Sequence, residues 1–387
     1  MMRTVSLSDI CTKITSGGTP LTKRDNYYGG GIPWLRTQEV NFGNIYSTEK
    51  TITELGLKNS SAKIIPKDSV IVAMYGATAG KSAINKIPLA TNQACCNLII
   101  DNSKADYRFV YYYLVNSYEK LLSAAVGAAQ QNLGSKQISA MTINLPPLNQ
   151  QKKIANILGS LDEKIELNRR MNETLEQLGQ ALFRHYFVDN PEAADWDIVS
   201  LTELCDRIAS GGTPSTRNDN YYGGDIQWYS TKELKDNFVF CSEKTITGDG
   251  LNESSAKLFP VNTVMMAIYA APTVGRLGIL TQEAAFNQAT CGLVAKPSVG
   301  YEFIYLYLLL SRSDLNNMAN GAAQQNISVG KVRNFAVMKP DDQTILKFKE
   351  KIQPIFEKIK RNSEETITLT SMRDSLLPKL ISGEIEE

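Results

Sequence analysis

The sequence repeats itself, and the repeat limits the chain to folds that can be built twice. Four motifs recur: SGGTP at 16–20 and 210–214, NYYGG at 26–30 and 220–224, EKTIT at 49–53 and 243–247, and GAAQQN at 127–132 and 321–326. Each second copy lies 194 residues after the first, which is the separation of Ser16 and Ser210. Solenoid repeats have periods of roughly 20–50 residues. The longer period found here predicts duplication of a whole domain.

Each repeat ends in a long amphipathic segment. In residues 150–187, apolar side chains recur at steps of three and four with no proline among them: Ile154, Leu158, Leu161, Ile165, Met171, Leu175, Leu178 and Leu182. The stripe returns 194 residues later as Ile352, Ile355, Ile359, Leu369, Met372 and Leu376. This spacing is typical of coiled-coil-like helices. A helix of 38 residues would be about 57 Å long, so each segment is predicted to be a helical arm.

Three residues interrupt the two stripes. Asn168 and Asn362 occupy the same place in both. Two interpretations remain open: a buried asparagine that fixes the register of paired helices at a cost in stability, or a solvent-facing residue at the stripe edge. Pro354 lacks the amide hydrogen needed inside a helix. It predicts either a kink in the second arm or the point where the long helix begins.

Each half outside the arms reads as a mixture of helices and strands. Short helices are predicted at 5–14 and 199–208, and longer ones at 107–122 and 301–317. Strand-like runs bounded by Gly, Asn and Pro lie between them. The predicted fold is therefore α+β, with two repeated globular domains and two long coiled-coil-like helices. The predicted boundaries are 1–147 for the first globular domain, 148–189 for the first arm, 190–341 for the second domain and 342–387 for the second arm.

Composition excludes several classes of protein. The longest apolar run, 303–310, is too short to span a bilayer, and no signal-peptide pattern begins the chain. The six cysteines show no CxxC spacing and are predicted to be reduced, as in a cytoplasmic protein. The single histidine, His185, argues against a histidine-based triad and most zinc sites. The net charge of +1 does not by itself indicate nucleic-acid binding.

One segment resembles a phosphate-binding loop but does not match it. GATAGKS at 76–82 is one residue short of the GxxxxGK[ST] pattern, and its counterpart AAPTVGRLG at 270–278 lacks the motif. ATP binding is therefore not predicted. Lys81 and Arg276 are matched across the repeat, and two interpretations stay open: exposed cations on a structural turn, or contacts to phosphate. The sequence offers no convincing nucleophile, general base or metal cluster.

The best candidates for residues that recognise a ligand follow a tryptophan that is present in both repeats. Trp34 and Trp228 are matched and are predicted to be core residues. Their neighbours differ between the repeats: Leu35 against Tyr229, Arg36 against Ser230, and Gln38 against Lys232. A duplicated scaffold that keeps its core and varies these residue types is typical of contacts to base edges and phosphates.

The repeated GAAQQN loop is the other candidate. Its glutamines are Gln130, Gln131, Gln324 and Gln325. Amide side chains can pair bidentately with adenine. Identity between the copies favours a loop that caps its own backbone.

The combined pattern resembles the specificity (S) subunit of type I restriction-modification enzymes. The resemblance covers essentially the whole chain. It rests on the two-fold repeat, the GGTP turn followed by a tryptophan strand, YGAT-GK, the NQ-C strand and the GAAQQN loop. The arm openings PPLNQQKKIANIL and PDDQTILKFKEKI and the arm endings ALFRHYF and LLPKLISGE are similar too.

The resemblance implies a division of labour. Each globular half is then a target recognition domain that reads one half of a bipartite sequence in double-stranded DNA. The arms pack antiparallel, set the unread gap and dock two modification (M) subunits. S-adenosylmethionine is expected on the M subunits, and ATP and Mg on the restriction (R) subunits. This chain would bind no cofactor or metal and carry no active site.

These expectations define two groups of candidate residues. Those predicted to contact DNA are Lys23, Arg24, Arg36, Gln38, Thr78, Lys81, Gln130, Gln131, Arg217, Tyr229, Ser230, Lys232, Thr273, Arg276, Gln324 and Gln325. Those predicted at the subunit interface are Leu158, Leu161, Ile165, Leu175, Ile352, Ile355, Ile359 and Leu369. The alternative function is a non-catalytic repeat adaptor that binds protein partners through its arms. A self-contained methyltransferase has no support in the sequence.

Overall fold

The computed structural model describes residues 2–126, 133–269, 273–320 and 326–385. The chain divides into two compact units. Unit 1 comprises Met1–Glu166 and Ile367–Glu387, and unit 2 comprises Leu167–Thr366. Each unit therefore contains one globular repeat together with part of each arm. Within the described parts of the chain, no helix is both long and apolar enough to cross a membrane.

Unit 1 is built around two sheets. The five-stranded sheet has the order Cys11–Ser16, Cys95–Ile100, Val70–Ala73, Ser82–Asn85 and Asn44–Ile45, with only the last pair parallel. The four-stranded sheet has the order Lys50–Ile52, Tyr28–Leu35, Leu89–Thr91 and Ile64–Ile65. Arg3–Ser6 and Thr142–Leu145 form a separate antiparallel pair. The central strand VIVA is buried at every residue, as expected for a short, continuous apolar run.

Among its described residues, unit 1 contains four short helices outside the arms. They are Glu54–Lys58, Tyr107–Asn116, Tyr118–Val126 and Ser135–Ala140, with 3₁₀ turns at Leu7–Ile10, Asp25–Tyr27, Thr37–Glu39 and Gly76–Thr78. Asp106 caps the second helix by accepting hydrogen bonds from the amides of Arg108 and Phe109. The single helix predicted over 107–122 is thus two helices, broken at Ser117.

Unit 2 repeats this arrangement. Its five-stranded sheet has the order Cys205–Ser210, Thr290–Ala295, Val264–Ala267, Leu277–Leu280 and Asn237–Val239, and its three-stranded sheet has the order Lys244–Ile246, Tyr222–Tyr229 and Ala285–Phe286. Asp197–Ser200 pairs with Ala336–Lys339. The helices are Leu201–Leu204, Gly248–Asn252, Tyr301–Leu310, Arg312–Asn320 and Val329–Arg333, and the 3₁₀ turns are Pro191–Asp195, Asp219–Tyr221 and Thr231–Glu233. The predicted α+β fold, built twice, is confirmed.

The two arms are long helices. Arm 1 runs from Leu148 to Phe183 and continues as a π-helical turn, Arg184–Val188. Arm 2 runs from Asp342 to Ser382 without interruption at Pro354, so the proline does not mark where the helix begins. The two long helices therefore start at Leu148 and Asp342, and each contributes residues to both compact units.

A side-chain cap fixes the start of arm 2. The Asp341 carboxylate accepts hydrogen bonds from the amide of Thr344 at 2.9 Å and from its hydroxyl at 2.7 Å. These bonds hold the pKa of Asp341 below its ordinary value. Asp341 is therefore the residue that satisfies the free amides at this helix end.

The matched asparagines of the arms are buried, which decides between the two interpretations of the sequence. Asn168 is 0% exposed and Asn362 is 1% exposed. In unit 2, the Asn168 amide donates to the Asn362 carbonyl at 3.4 Å and to Glu365 at 2.9 Å, whereas Asn172 donates to the Ile359 carbonyl at 3.3 Å. Going from Asn168 to Asn172 along arm 1, the residue bonded in arm 2 changes from Asn362 to Ile359, which is earlier in the sequence. The arm segments of unit 2 are therefore antiparallel.

The structure corrects part of the interface prediction. Leu158, Ile352 and Ile359 are buried in the cores of their own units. They cannot contact a partner subunit directly, because the globular domains pack on the stripe. Leu161, Ile165, Leu175, Ile355 and Leu369 are partly buried, and their role at an interface stays a prediction. Leu178 and Met372, by contrast, are 47% and 49% exposed, although the stripe predicted them to be inside.

The short helices predicted at the start of each half are mostly strand. Residues 3–16 form two strands around a single 3₁₀ turn, and 197–210 form two strands around a four-residue helix. The strand Arg3–Ser6 pairs with Thr142–Leu145, far along the sequence. This distant pairing overrides the local helical pattern.

Candidate nucleic-acid interface

The repeated motifs, which are scattered along the sequence, meet at one place in unit 1. We define the motif cluster of unit 1 as residues 16–20, 34–39, 74–81 and 91–94. The indole nitrogen of Trp34 donates to the Gly18 carbonyl at 3.0 Å, and the Gly18 amide donates to the Thr91 carbonyl at 2.8 Å. A Cβ added at Gly18 would lie 2.4 Å from the main chain of Ala62. The GGTP turn therefore needs glycine there for close approach of the backbone.

The turn that resembles a phosphate loop joins the same cluster. The Thr78 hydroxyl donates to the Thr37 carbonyl at 2.7 Å. Met74 accepts from the Leu133 amide at 3.0 Å, so the residue that follows the GAAQQN motif is anchored beside this turn. The predicted readers Gln130, Gln131, Gln324 and Gln325 lie outside the described residues.

Unit 2 contains a second motif cluster: residues 210–214, 228–233, 268–269, 273–276 and 286–289. The Trp228 indole donates to the Gly212 carbonyl at 2.9 Å. The Ile327 amide donates to the Ile268 carbonyl at 2.8 Å, which matches the anchor of Leu133. Each unit thus has its own copy of one site.

The tryptophans are core residues, as predicted, and one predicted reader is also in the core. Trp34 and Trp228 are 4% and 9% exposed. Tyr229 is only 1% exposed and packs in a cluster with Phe259 and Phe286. Burial raises the pKa of its hydroxyl. The prediction that Tyr229 contacts DNA is wrong. The strand Tyr222–Tyr229 is buried on both faces at its last two residues, Trp228 and Tyr229.

Each cluster holds a cation over a matched carboxylate. In unit 1 the Arg36 guanidinium pairs with Glu49, and the Gln38 amide donates to the same carboxylate at 3.4 Å. In unit 2 Lys232 pairs with Glu243. Glu49 and Glu243 belong to the repeated EKTIT motif. Both units therefore have the same glutamate, but its cationic partner differs. It is the second residue after the tryptophan in unit 1 (Arg36) and the fourth in unit 2 (Lys232).

These ion pairs leave the cations available to another partner. The Arg36 side chain is 25% exposed and the Glu49 side chain is 60% exposed. The lysine and glutamate side chains of the pair in unit 2 are 66% and 58% exposed, and exposed pairs of this kind contribute little to stability. A phosphate or a guanine edge can therefore replace the carboxylate at small cost. Ser230, in contrast, uses both its amide and its hydroxyl, each 2.7 Å from Glu233, to cap its own turn.

The matched cations of the turns have different surroundings. The Lys81 ammonium donates to the Asn41 side chain at 2.5 Å and lies 5.6 Å from the centre of the Phe42 ring. The described residues offer the Arg276 side chain no hydrogen-bond or ion-pair partner. Nearby on its turn, the Thr273 hydroxyl donates to the Tyr269 carbonyl at 3.3 Å. Both cations are partly exposed, so contact with phosphate stays a prediction.

Three predicted contacts lie on the loops that follow the GGTP turns. Lys23, Arg24 and Arg217 are exposed. The Arg24 guanidinium lies 5.9 Å from the centre of the Tyr27 ring. These residues can reach a polyanion without any rearrangement of the core.

A groove of basic residues in unit 2 was not predicted from the sequence. It has a volume of about 450 Å³ and is lined in part by Arg207, Lys257 and Arg333. All three donate to main-chain carbonyls: Arg207 to Leu258, Lys257 to Ser210 and Arg333 to Ile208, at 2.8, 3.3 and 2.7 Å. Neutral acceptors leave these positive charges largely uncompensated, although Asp206 also lines the groove.

A matched groove of about 340 Å³ lies in unit 1. Its lining includes Ile14, Ser16 and Lys136. The sequence did contain a partial signal for the groove of unit 2, because Lys257 lies in the segment SSAK, which occurs at 60–63 and again at 254–257. The signal could not be interpreted without the strands that bring the cations together.

The described residues show little that could carry chemistry of their own. Among them, no group of three His, Cys, Asp or Glu side chains could hold a metal ion. Burial raises the pKa of the Cys96 and Cys205 thiols to about 12. Such thiols stay protonated near neutral pH and are poor nucleophiles. His185 is exposed on the turn that ends arm 1.

Comparison with known proteins identifies the family. The family described as "Type I restriction modification DNA specificity domain" matches the chain twice, at residues 2–177 and 193–370. The chain belongs to this family.

Individual relatives agree with this assignment. The type I restriction enzyme MjaIX specificity subunit of Methanocaldococcus jannaschii is 26% identical, over 96% of this chain and 91% of that protein. The HindI specificity subunit of Haemophilus influenzae is 26% identical, over 72% of this chain and 77% of that protein. The crystal structure of the S subunit from M. genitalium has a similar fold, with a TM-score of 0.68 at 16% identity, covering 98% of this chain and 96% of that one.

Proposed function

We propose that this chain is the DNA-recognition subunit of a type I restriction-modification complex, and that each unit reads one half of a bipartite target. The observation that carries this proposal is the presence of one motif cluster in each unit, within each of the two matched specificity domains. The scaffold is the same in both copies, while the residues that follow the tryptophan differ. A bipartite DNA target has two different half-sites. Two related surfaces with different contact residues are suited to recognising them.

The arms are proposed to set the unread gap and to dock two M subunits. Support comes from their length of 36 and 41 residues and from the antiparallel pairing in unit 2. Leu178 and Met372 are matched across the repeat and both are exposed. They replace the buried stripe residues as the apolar candidates for docking.

Catalysis is proposed to reside in the partner subunits, in the cytoplasm. S-adenosylmethionine would bind to the M subunits, and ATP and Mg to the R subunits. This chain would supply position and sequence choice only. The basic groove of unit 2 and the exposed loop cations would contact phosphates, which fix register without reading sequence.

The test uses this chain assembled with its cognate M subunit. Binding to duplex DNA is measured by titration, and the methylated motif is determined by sequencing the DNA of cells that carry both proteins. We expect a bipartite motif with a fixed gap. A contiguous motif would contradict the two-reader account, and a complex that binds no duplex would favour an adaptor that contacts only proteins. The chain without the M subunit should transfer no methyl group.

A further inference from the structure

Unit 2 contains a cavity between its two arm segments and one of its helices. It has a volume of about 200 Å³, several times the roughly 30 Å³ that one water molecule occupies in the liquid. Both arm segments of unit 2 and the helix Tyr301–Leu310 contribute to its wall. Its lining includes Glu176 and Gln180 from arm 1, Phe356 and Ile359 from arm 2, and Tyr305 and Asp236.

In unit 1 the equivalent position is occupied by the chain's own arginine. Counting 194 residues along the repeat matches Gly179 with Arg373 and Phe356 with Asp162. In unit 1, Arg373 donates to Asp162 at 2.9 Å, and the Tyr112 hydroxyl donates to the other oxygen of Asp162 at 2.8 Å. A half-buried guanidinium therefore fills the space between the arms and the first long helix of that unit.

In unit 2 the arginine is missing and apolar groups surround its place. Gly179 lies on arm 1 between Glu176 and Gln180, which both line the cavity. A Cβ at Gly179 would be 3.8 Å from the Phe356 ring and 3.3 Å from Ile352. Leu306 stands where unit 1 has Tyr112. The glycine thus leaves room for a side chain that arrives from outside the unit.

The charge at the cavity favours a cation. Burial raises the pKa of Glu176, and the neighbouring carboxylates of Glu173 and Asp236 raise it further. Asp236 already has a cation, because the Arg312 guanidinium binds both of its oxygens. Among the described residues, Glu176 has no such partner. Any positive group placed in the cavity would therefore stabilise its ionised carboxylate.

We propose that this cavity is a socket for an arginine side chain of a protein partner. Arginine combines a planar cation, which pairs with a carboxylate and stacks on aromatic rings, with an aliphatic stem that apolar walls can cover. Glu176 supplies the carboxylate, and Phe356 and Tyr305 supply the rings. In unit 1, Arg373 already makes this kind of contact, because its guanidinium pairs with the carboxylate of Asp162. The inference rests on the proposed function in one respect: the arms dock the M subunit, which is therefore the partner that presents the arginine.

The experiment measures the affinity of the full-length chain for its cognate M subunit by titration calorimetry. Gly179→Arg fills the socket with the chain's own guanidinium, and Glu176→Gln removes its charge while keeping its shape. We expect each variant to bind the M subunit at least tenfold more weakly. The matched control is Asn252→Arg, which adds the same side chain at an exposed position of unit 2 outside the arms and should leave the affinity unchanged.

A second measurement protects the test against a folding defect. Thermal unfolding without the partner shows whether each variant is folded before its affinity is compared. Glu176→Gln adds no atoms and keeps the test decisive if Gly179→Arg, whose Cβ would lie 3.3 Å from Ile352, is destabilised. Equal affinity of the wild type, Glu176→Gln and Gly179→Arg for the M subunit would overturn the inference alone. Failure of the wild-type chain to bind the M subunit would contradict the proposed function and the inference together.

Discussion

At the scale of single residues, the cation that follows each tryptophan strand is the strongest candidate for reading DNA. Arg36 is held by Glu49 in unit 1, and Lys232 is held by Glu243 in unit 2. Each carboxylate orients its cation in the free protein. A guanine edge offers two acceptors to a guanidinium, which is the commonest specific contact in the major groove.

Arg36→Ala should relax recognition at one position of one half-site, with a loss of about 1–3 kcal/mol of discrimination. Lys232→Ala removes the cation paired with Glu243 in unit 2 and should affect only the other half-site. The methylated motifs of the wild type and both variants provide the measurement. An unchanged motif in Arg36→Ala would show that this residue does not read a base.

The cations of the matched turns should govern affinity rather than sequence choice. Lys81→Ala together with Arg276→Ala should weaken binding to all sequences alike. The slope of log affinity against log salt should become shallower by about 0.9 for each lost phosphate contact. Binding titrations at several salt concentrations measure this slope. A double variant with the wild-type slope would place both residues away from the DNA.

Asp341 should link the stability of arm 2 to pH. Its pKa in the folded chain is below the ordinary value of 3.8 because Thr344 donates two hydrogen bonds to its carboxylate. The stabilisation is therefore present above about pH 3.8 and is lost as the pH falls through the lower folded value. Asp341→Ala should cost about 0.5–2 kcal/mol near neutral pH. Asp341→Asn keeps the cap but cannot titrate, so its urea unfolding midpoint should lose this dependence on acid. Equal acid dependence in Asp341→Asn and the wild type would rule out the cap as its source.

At the scale of elements, the arms are held in register by a buried polar contact. The Asn362 amide donates to the Asn172 side chain at 2.8 Å, and both residues are buried. A buried side-chain amide without a hydrogen-bond partner lowers the free energy of unfolding more than one that is paired. The contact therefore penalises arm registers in which the two asparagines do not meet.

A double-mutant cycle on Asn172 and Asn362 should reveal this coupling. Each single change to alanine leaves the other side chain with an unmet hydrogen bond and should cost about 1–3 kcal/mol of unfolding free energy. The double variant should cost less than the sum of the two, by about 0.5–3 kcal/mol. Urea unfolding of the four proteins measures it. Additive costs would mean that the asparagines act independently.

The sequence predicted those elements whose signals are local. The arm starts at 148 and 342, the buried tryptophans and the two-fold construction all follow from spacing and repetition. The strands at 3–6 and 197–200 could not be predicted, because distant partners determine them. Tyr229 was wrongly predicted to contact DNA because it differs from its match, Leu35. Both residues are buried, so this difference lies in the core and not on a DNA-contacting surface. The grooves were missed because Arg207, Lys257 and Arg333 meet only after folding.

At the scale of the whole molecule, duplication has produced two units with the same scaffold and different details. Each unit has its own core and its own motif cluster. Gly179 and Arg373 show that matched positions of the arms have also diverged. We therefore expect that the DNA-reading residues of each unit can be changed without affecting those of the other unit or the length of the gap.

The most direct test exchanges the varied segment of one unit for that of the other. Residues 36–38 (RTQ) are replaced by the STK of 230–232, leaving the buried Leu35 and Tyr229 in place so that neither core is disturbed. The variant is assembled with the M subunit, and its methylated motif is determined by sequencing. The account predicts an altered half-site on one side, with the other half-site and the gap length unchanged. A motif altered in both halves, or a changed gap, would contradict the assignment of reading to the units and spacing to the arms.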